Sequence, residues 1–541
     1  MEIRRLLVAN RGEIAARIFR TCRRLGIATV AAAAPDDRGA FHTRRADEVR
    51  EIESYLSPEA IVAAALDAGA DAVHPGYGFL AESATLAEAV GDAGLAWVGP
   101  PPDVLRASGD KLEAKRIARS AGVPVVETGS PDEVGFPLMI KAAAGGGGRG
   151  MRVVRHPAEL DAAVAAARRE AFAGFGDDRV FFERFLERPR HVEVQILADA
   201  RGGVVHLGER ECSLQRRHQK ILEESPSPAL GPALRRELTA AAVALAGALD
   251  YRNAGTAEFM LDGERFYFLE LNARIQVEHP LTELVTGVDL VAEQIRIAAG
   301  EPLTTGSSDP EGHALEVRLY AEHPITFLPE IGRVEELELP DGVRVDAGVE
   351  AGDEVPVAYD PLIAKLVAGG ETREDALARL VDALDETRVR GVTTNLAFLR
   401  WLVRHPDVRA GRTTTAFLDE HPPLSRPPRV PRPWRGYWRL NRDHAAPPPR
   451  PTPPPGVETA AHAVDGTGRA ERALVAPMPG TVIRVLVREG ERVEARQALV
   501  VVEAMKMETP LTSPYEAIVR RVNVVEGDRV TGGAVLVELE E

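Results

Sequence analysis

A lysine near the carboxyl end of the sequence has the features of a covalent modification site. Lys506 lies in the segment EAMKME (503–508), at the join of two stretches that repeat without a gap at an offset of 37 residues. Each copy alternates apolar and polar residues and carries a Glu-Gly-x-Arg-Val turn, which predicts two similar small β-sheets packed face to face. The equivalent of Lys506 in the second copy would lie beyond residue 541. We therefore predict a unique, exposed lysine at a hairpin tip.

Three oxygen-bearing side chains could bind a divalent cation. Glu270 and Asn272 are two residues apart, so they lie on one face of a predicted strand. A three-residue turn at 262–264 would pair Glu258 with Phe268 and place Glu258 on that face, whereas a two-residue turn would not. We therefore predict the three-residue turn and a site for Mg²⁺ or Mn²⁺. An exposed hairpin with solvated acids is the alternative, but the large apolar residues around Glu270 indicate burial.

Two further motifs are suited to anions. Lys141 lies in a predicted strand before the glycine-rich segment 145–150, whose backbone amides could approach phosphate oxygens, although its spacing is not that of a Walker loop. Arg274, Gln276 and Glu278 alternate along a predicted extended segment, so they would offer a small anion such as bicarbonate a guanidinium, a neutral donor and a base on one face. A flexible hairpin and a solvated polar strand are the respective alternatives.

Composition limits the class of protein. The 541 residues exceed a single core, so several domains are expected. A formal net charge of −16 without a basic block disfavours nucleic acid or an anionic membrane as the main partner. Cys22 and Cys212 are the two cysteines, and no apolar run has the length of a membrane span. We expect a cytoplasmic enzyme.

The elements that would position these residues follow from periodicity. Apolar strand patterns at 3–9, 27–33, 72–74 and 96–98 alternate with helical patterns, which predicts a parallel sheet over about the first 110 residues. After a mixed region to about 311, strands and then helices fill 312 to about 418. The segment 422–455 contains 13 prolines and is a predicted linker. Trp434 and Trp438 within it are predicted to dock on this chain or a partner.

These motifs, with HPGYGFL (74–80), RHVE (190–193) and RRHQK (216–220), resemble the biotin carboxylase family of ATP-grasp enzymes from residue 3 to about 420. Residues 469–541 resemble biotinyl carrier domains, and the methionines beside Lys506 favour biotin over the lipoyl group of a related sandwich. The resemblance implies an α/β multidomain fold. Its expected parts are a Rossmann-like N-terminal domain (1–110), an ATP-grasp domain (111–311, lid at about 125–205), a mixed α+β carboxylase C-terminal domain (312–421), a proline-rich linker (422–468) and an all-β biotinyl/lipoyl-type sandwich (469–541).

The resemblance also implies residue roles. Biotin would be attached to Lys506, and Glu258, Glu270 and Asn272 would bind Mg²⁺ or Mn²⁺. Bicarbonate would be held by Lys220, Arg274, Gln276 and the Val277 backbone, with Glu278 as the base and Arg318 stabilising the biotin enolate. ATP would contact Lys111, Lys141, Gly147, Gly148, Glu183, Leu186, His191, Gln215 and His218. The sequence departs from the family at Ala273 and at 329–332, neither of which removes a named group.

The implied activity is ATP-dependent carboxylation of carrier-bound biotin with bicarbonate, through carboxyphosphate, in an acyl-CoA carboxylase. The implied partners are a separate carboxyltransferase (β) subunit, biotin protein ligase and further copies of the carboxylase region. Some relatives have an extra domain where this chain has the linker, so the contact with the partner is open, as are the acyl-CoA and the oligomeric state. A carrier module with an inactive ATP domain, or an ATP-grasp ligase joining a carboxylate to an amine, are the alternatives. Biotin-dependent ATP cleavage by the isolated chain would decide against the carrier module, and avidin detection of a modified Lys506 would decide against the ligase.

Overall fold

The computed structural model describes most of the chain. The described residues are 2–144, 151–216, 219–325, 327–356, 359–421, 473–476, 480–494, 497–504, 507–513, 515–530 and 534–540, without the side chains of 173–175, 480, 503, 504 and 507–510. Six predicted positions lie outside the described residues: Gly147, Gly148, His218, Trp434, Trp438 and Lys506. Within the described part, no helix is long and apolar enough to cross a membrane.

The first 110 residues form a five-stranded parallel sheet with the order β3-β2-β1-β4-β5. The predicted parallel sheet is confirmed, and the edge strand β3 was missed because its Glu-Val-Arg-Glu sequence is mostly charged. Apolar residues of α1 such as Ile14 and Ile18 cover one face of the sheet. The elements are β1 (Arg5–Val8), α1 (Gly12–Leu25), β2 (Ala28–Ala33), β3 (Glu48–Glu51), α2 (Pro58–Asp67), β4 (Ala72–His74), α3 (Ala84–Asp92), β5 (Ala96–Trp97) and α4 (Pro102–Gly109).

A small four-stranded sheet follows, with the order β6-β9-β7-β8. Its central strand β7 carries Lys141 and pairs with both neighbours, and Leu138, Ile140, Val154 and Ala167 form its core. The predicted strand before the glycine-rich segment and the second strand after it are therefore both present. The elements are α5 (Lys111–Ser120), β6 (Thr128–Gly129), α6 (Pro131–Val134), β7 (Leu138–Ala142), β8 (Arg152–Val154), α7 (Leu160–Phe175) and β9 (Val180–Arg184).

An eight-stranded sheet with the order β14-β13-β10-β11-β12-β15-β20-β18 forms the centre of the region between residues 190 and 420. It continues from β12 to β15 across residue 312, so the two predicted domains on either side share one sheet. The elements are β10 (Arg190–Ala198), β11 (Val204–Arg216), β12 (Gln219–Ser225), α8 (Pro232–Ala248), β13 (Asn253–Asp262), β14 (Arg265–Asn272), α9 (His279–Thr286), α10 (Leu290–Ala298), β15 (His313–Tyr320), β16 (Gly332–Arg333), β17 (Glu336–Glu338), β18 (Arg344–Ala347), β19 (Glu354–Val355), β20 (Leu362–Gly370), α11 (Arg373–Glu386), β21 (Arg388–Arg390), α12 (Leu396–Arg404), α13 (Pro406–Arg409) and α14 (Phe417–Glu420).

The described residues between 473 and 540 form two four-stranded sheets, β22-β29-β27-β24 and β26-β25-β23-β28. Each strand of the first sheet has a counterpart in the second sheet 37 residues away in the sequence: β22 and β24 match strands later in the chain, and β27 and β29 match earlier ones. The predicted repeat is therefore present in the structure. Each sheet nevertheless contains strands of both copies, and Val482, Val500, Val519 and Val537 share one core. The strands are β22 (Ala473–Val475), β23 (Gly480–Val485), β24 (Arg492–Val493), β25 (Ala498–Ala504), β26 (Met507–Thr512), β27 (Ala517–Val522), β28 (Arg529–Val530) and β29 (Val535–Glu540).

Candidate active site

Lys220, on β12, is the central cation of the candidate site. Its ammonium nitrogen lies 2.5 Å from Glu193 Oε2, 2.9 Å from Glu258 Oε1 and 2.6 Å from Glu278 Oε1. Burial opposes the charge, but the three carboxylates raise the pKa of Lys220 well above its ordinary value. Lys220 therefore stays charged at neutral pH and holds side chains from three separate elements together.

Glu278, at the start of α9, is a fully buried carboxylate with two cationic partners. It accepts hydrogen bonds from Lys220 and, at 3.0 Å, from Arg318 Nη2 on β15. Burial raises its pKa, but Lys220, Arg318 and Arg210 outweigh burial and hold the pKa of Glu278 well below its ordinary value. Glu278 is consequently ionised and able to accept a proton.

Three further charged residues around Lys220 and Glu278 were not predicted as site residues from the sequence: Arg210, Glu193 and Glu223. Arg210 is fully buried and donates to Glu193 at 2.5 Å, and Arg318 lies 2.5 Å from Glu223 Oε1. Burial raises the pKa of both Glu193 and Glu223. Charged residues inside otherwise apolar strands were the available signal, because such residues are costly to bury without partners.

Glu258, Glu270 and Asn272 lie on one side of the β13–β14 hairpin, but not for the predicted reason. Asp262 pairs with Arg265, so the turn has two residues and the predicted three-residue turn is wrong. A β-bulge on β14 adds one unpaired residue between Phe268 and Glu270, which returns Glu258 to the position opposite Glu270. The bulge therefore does what the longer turn was expected to do.

The oxygen donors of this hairpin fit a hard divalent cation. Glu270 is partly exposed and its Oε2 lies 3.3 Å from Lys111 Nζ, while Glu258 contacts Lys220 and, at 2.9 Å, His191 Nε2. These contacts lower the pKa of Glu258 despite its burial. Two carboxylates and an amide oxygen on neighbouring strand positions are ligands that Mg²⁺ and Mn²⁺ accept.

Glu183, on β9 of the four-stranded sheet β6-β9-β7-β8, forms ion pairs with two lysines. Its carboxylate lies 2.5 Å from Lys141 Nζ and 2.6 Å from Lys115 Nζ, and all three side chains are buried. Burial raises the pKa of Glu183, but the two ammonium groups outweigh it and lower the pKa to about 2. The Glu183 side chain thus positions Lys141, while Leu186 lies just after the end of β9. Lys115 was missed by the sequence reasoning.

His191, on β10, connects the cation site to the predicted nucleotide-binding residues. Its Nδ1 lies 3.1 Å from Gln215 Nε2, and its Nε2 lies 2.9 Å from Glu258. Burial lowers the pKa of His191, but the Glu258 carboxylate has the larger effect and raises the pKa above its ordinary value. The structure therefore brings His191, Gln215 and Glu258 into one network.

Arg274, Gln276 and Glu278 are not on an extended segment, which corrects that prediction. Residues 273–276 form an irregular loop, and 277–278 form a turn that leads into α9. Arg274 Nη1 still donates to Gln276 Oε1 at 3.0 Å, and Gln276 Nε2 donates to Glu258 at 3.4 Å. Hydrogen bonds, not strand alternation, place these side chains together.

Lys365, on β20, was not predicted from the sequence either, and it contacts the backbone at the end of the same loop. Its ammonium donates to the Val277 carbonyl at 2.8 Å and lies 3.3 Å from Glu13 Oε1, with no exposed side-chain surface. The peptide unit held by Lys365 is the one that carries the Glu278 N–H. Lys365 thereby orients the residue before the predicted base without contacting its carboxylate.

Comparisons with known proteins show which family this chain resembles. Family models match at residues 2–105 (biotin carboxylase, N-terminal domain), 110–305 (carbamoyl-phosphate synthase L chain, ATP-binding domain), 316–420 (biotin carboxylase C-terminal domain) and 472–539 (biotin-requiring enzyme). The chain is 46% identical over 441 residues to biotin carboxylase of Halalkalibacterium halodurans, covering 77% of this chain and 98% of the relative.

Two further matches extend the comparison. Methylcrotonoyl-CoA carboxylase subunit alpha, mitochondrial, of Arabidopsis thaliana is 46% identical over 445 residues, covering 77% of this chain and 61% of the relative. The crystal structure of the biotin carboxylase domain dimer of Hydrogenobacter thermophilus 2-oxoglutarate carboxylase, in complex with MgADP, ADP and bicarbonate, has a TM-score of 0.76 and 41% identity. The match covers 78% of the present chain and 98% of the Hydrogenobacter thermophilus chain.

The buried pairing of Glu183 predicts a pH-dependent loss of stability in Glu183→Gln. The variant leaves two buried ammonium groups without a counter-charge, which costs about 3–5 kcal/mol. Burial already lowers the pKa of Lys115 to about 8, and the variant lowers it further. The unfolded lysine then binds more protons than the folded one, so stability rises with pH. Hydrogen exchange of β7 and β9 should show larger destabilisation at pH 6 than at pH 8.5.

Glu187→Gln is the matched control, because the Glu187 side chain is 65% exposed. It should change exchange in these strands little at either pH. Equal protection of β7 and β9 in Glu183→Gln and Glu187→Gln would show that the two lysines do not depend on this carboxylate.

Proposed function

Because the chain belongs to the biotin carboxylase family, whose members carboxylate biotin with ATP and bicarbonate, we propose that it performs this reaction on biotin attached to its own Lys506. The single observation that carries the proposal is the buried cluster of Lys220, Glu278 and Arg318, in which an ionised base lies between two cations. Such a site is suited to a small anion that must lose a proton.

The cations of the cluster give bicarbonate its binding site. Lys220 and Arg274 supply positive charge, and Gln276 and the Val277 backbone supply neutral hydrogen-bonding groups. A bound anion shares Lys220 with Glu278 and adds a negative charge beside it, and both effects raise the pKa of Glu278 from its depressed value. The substrate thereby makes Glu278 a stronger base at the moment when a proton must be removed.

Deprotonated bicarbonate attacks the γ-phosphorus of ATP, which gives carboxyphosphate and ADP. We assign Lys111 and Lys141 to the nucleotide, where they would offset phosphate charge. Lys111 lies beside Glu270, and Glu183 holds Lys141 in place. The segment with Gly147 and Gly148, and the residues Leu186, His191, Gln215 and His218, are assigned to nucleotide binding by the family resemblance. Exclusion of water from this site protects the reactive mixed anhydride.

The bound groups add chemistry that the side chains lack. Mg²⁺ or Mn²⁺, held by Glu258, Glu270 and Asn272, would neutralise phosphate charge, and biotin supplies the nitrogen that accepts the carboxyl group. Arg318 provides the cation that offsets the developing negative charge on the ureido oxygen. Its second partner Glu223, whose pKa is raised by burial, holds the guanidinium in position.

The carrier sandwich and the linker supply movement. A proline-rich tether of the length of 422–455 could extend over roughly 100 Å at ~3.1 Å per residue, far enough to reach a second active site. We place that site on a separate carboxyltransferase subunit of an acyl-CoA carboxylase, with biotin protein ligase attaching the biotin. The free, buried thiols of Cys22 and Cys212 suit the cytoplasmic location that we propose.

The division of labour between the two ends of the chain is tested with Lys506→Ala. The purified variant should lose avidin reactivity and carboxyl transfer to acyl-CoA in the presence of its partner, yet retain ATP hydrolysis that depends on bicarbonate and free biotin. Arg488→Ala, on a loop of the same sandwich, should keep all of these activities. Loss of free-biotin carboxylation in Lys506→Ala would contradict the proposed separation of carrier and carboxylase.

The positioning role of Lys365 predicts a selective kinetic defect in Lys365→Met. Without the bond to Val277, the turn that carries Glu278 is no longer fixed, so kcat should fall by about 10²-fold. The KM for bicarbonate should rise while the KM for ATP stays unchanged. Steady-state kinetics of bicarbonate-dependent ATP hydrolysis measures both.

The double variant Lys365→Met/Glu13→Gln separates positioning from charge balance, since it also removes the carboxylate that Lys365 neutralises. The bicarbonate defect should persist in it. Restored bicarbonate kinetics in the double variant would mean that Lys365 only balances the Glu13 charge.

A further inference from the structure

Two imidazoles and a carboxylate meet where the described carboxylase region ends. His405 lies between α12 and α13, Asp407 lies in α13, and His421 follows α14. One ligand atom from each of the three side chains lies within 4.8 Å of the other two. No catalytic or nucleotide-binding role discussed above involves these residues.

The two carboxylate oxygens of Asp407 have different surroundings. Oδ1 accepts hydrogen bonds from Arg412 at 2.6 and 3.1 Å. Oδ2 accepts none within the described part of the chain, and it lies 3.9 Å from His405 Nδ1 and 3.7 Å from His421 Nε2. These separations are too long for hydrogen bonds, and they leave one oxygen directed towards two ring nitrogens.

Aromatic packing fixes the directions of both rings. The His405 ring lies 5.3 Å from the Trp401 ring and 5.0 Å, edge to face, from the Phe417 ring. His421 lies 4.8 Å from Phe417 and 4.7 Å from His405. The neighbouring rings therefore hold the two imidazoles side by side, which lowers the entropy lost when both bind one ligand.

His405 Nδ1, which faces Asp407 Oδ2, already has one weak contact. It accepts the Asp407 backbone N–H at a distance of 3.3 Å. That bond is long, and ligation of a cation would replace it.

We propose that His405, Asp407 and His421 form a binding site for a divalent transition-metal ion such as Zn²⁺. Imidazole suits Zn²⁺, Ni²⁺ and Cu²⁺, in contrast to the all-oxygen donor set expected to hold Mg²⁺ or Mn²⁺. A tetrahedral ion with bonds of about 2.1 Å holds its ligand atoms about 3.4 Å apart. The separations of 3.9 and 3.7 Å between Asp407 Oδ2 and the two imidazole nitrogens exceed this spacing by a few tenths of an ångström. The fourth position is left to water.

The position of the site gives the ion a structural role. His421 is the last described residue before the linker, and Asp407 belongs to a helix packed on the carboxylase core through Val408. An ion shared by the two would fasten the final segment 410–421 to the body of the protein. The linker would then leave from a fixed point.

The test is Zn²⁺ titration of the metal-stripped full-length chain, read by competition with a chromophoric chelator and by hydrogen exchange of 410–421. We expect one site with a dissociation constant in the micromolar range or below, and increased protection of 410–421 when Zn²⁺ is bound. Co²⁺ at the same site should give the visible absorption of a tetrahedral ion with nitrogen ligands. His421→Gln and Asp407→Asn should each weaken binding by at least about tenfold.

His156→Gln is the matched control, because His156 is an exposed histidine outside this cluster. It should bind Zn²⁺ like the parent chain, and His421→Gln should keep free-biotin carboxylation. Equal Zn²⁺ affinity in His421→Gln and His156→Gln, or binding that leaves exchange of 410–421 unchanged, would overturn the proposal.

Discussion

The structure depends on one buried cation. Lys220 holds three carboxylates from β10, β13 and the start of α9 within hydrogen-bonding distance. Transfer of these charges from water is costly, and their mutual attraction offsets the cost only while the geometry is maintained. Removal of the lysine would leave three like charges together, so the fold and the site share a single constraint.

The same constraint connects folding to chemistry. Glu278 is held ionised by Lys220, Arg318 and Arg210, so in the free protein it is a weak base. A substrate anion competes with Glu278 for those cations and so changes the property that catalysis needs. The backbone around Glu278 is fixed independently, through Lys365 and the Val277 carbonyl. Electrostatics can therefore change on binding while the geometry stays fixed.

The sequence was most informative where a pattern has one structural solution. The parallel amino-terminal sheet, the strands on both sides of the glycine-rich segment and the 37-residue repeat followed from periodicity. The face shared by Glu258 and Glu270 was predicted, but through the wrong turn, because a single-residue bulge leaves no mark in an alternating pattern. Arg274 and Gln276 were grouped correctly in an irregular loop that had been expected to be extended.

Residues that act through long-range contacts were not predictable in this way. Lys115 and Lys365 are separated in sequence from Glu183 and Val277, and the sheet order that brings them together is not encoded locally. Their one signal is a charge within an apolar stretch, which indicates a buried partner without identifying it. The domain limits and the roles of the site residues, including Lys506, stay predictions.

The most direct test of this account is isotope-edited infrared spectroscopy of the Glu278 carboxylate, assigned by difference from Glu278→Gln. In the free protein the carboxylate band should persist at pH values well below the ordinary pKa of glutamate. Addition of bicarbonate with a non-hydrolysable ATP analogue should raise the pKa at which that band disappears. A Glu278 carboxyl that is already protonated at neutral pH in the free protein, or one whose titration does not respond to bicarbonate, would contradict the account.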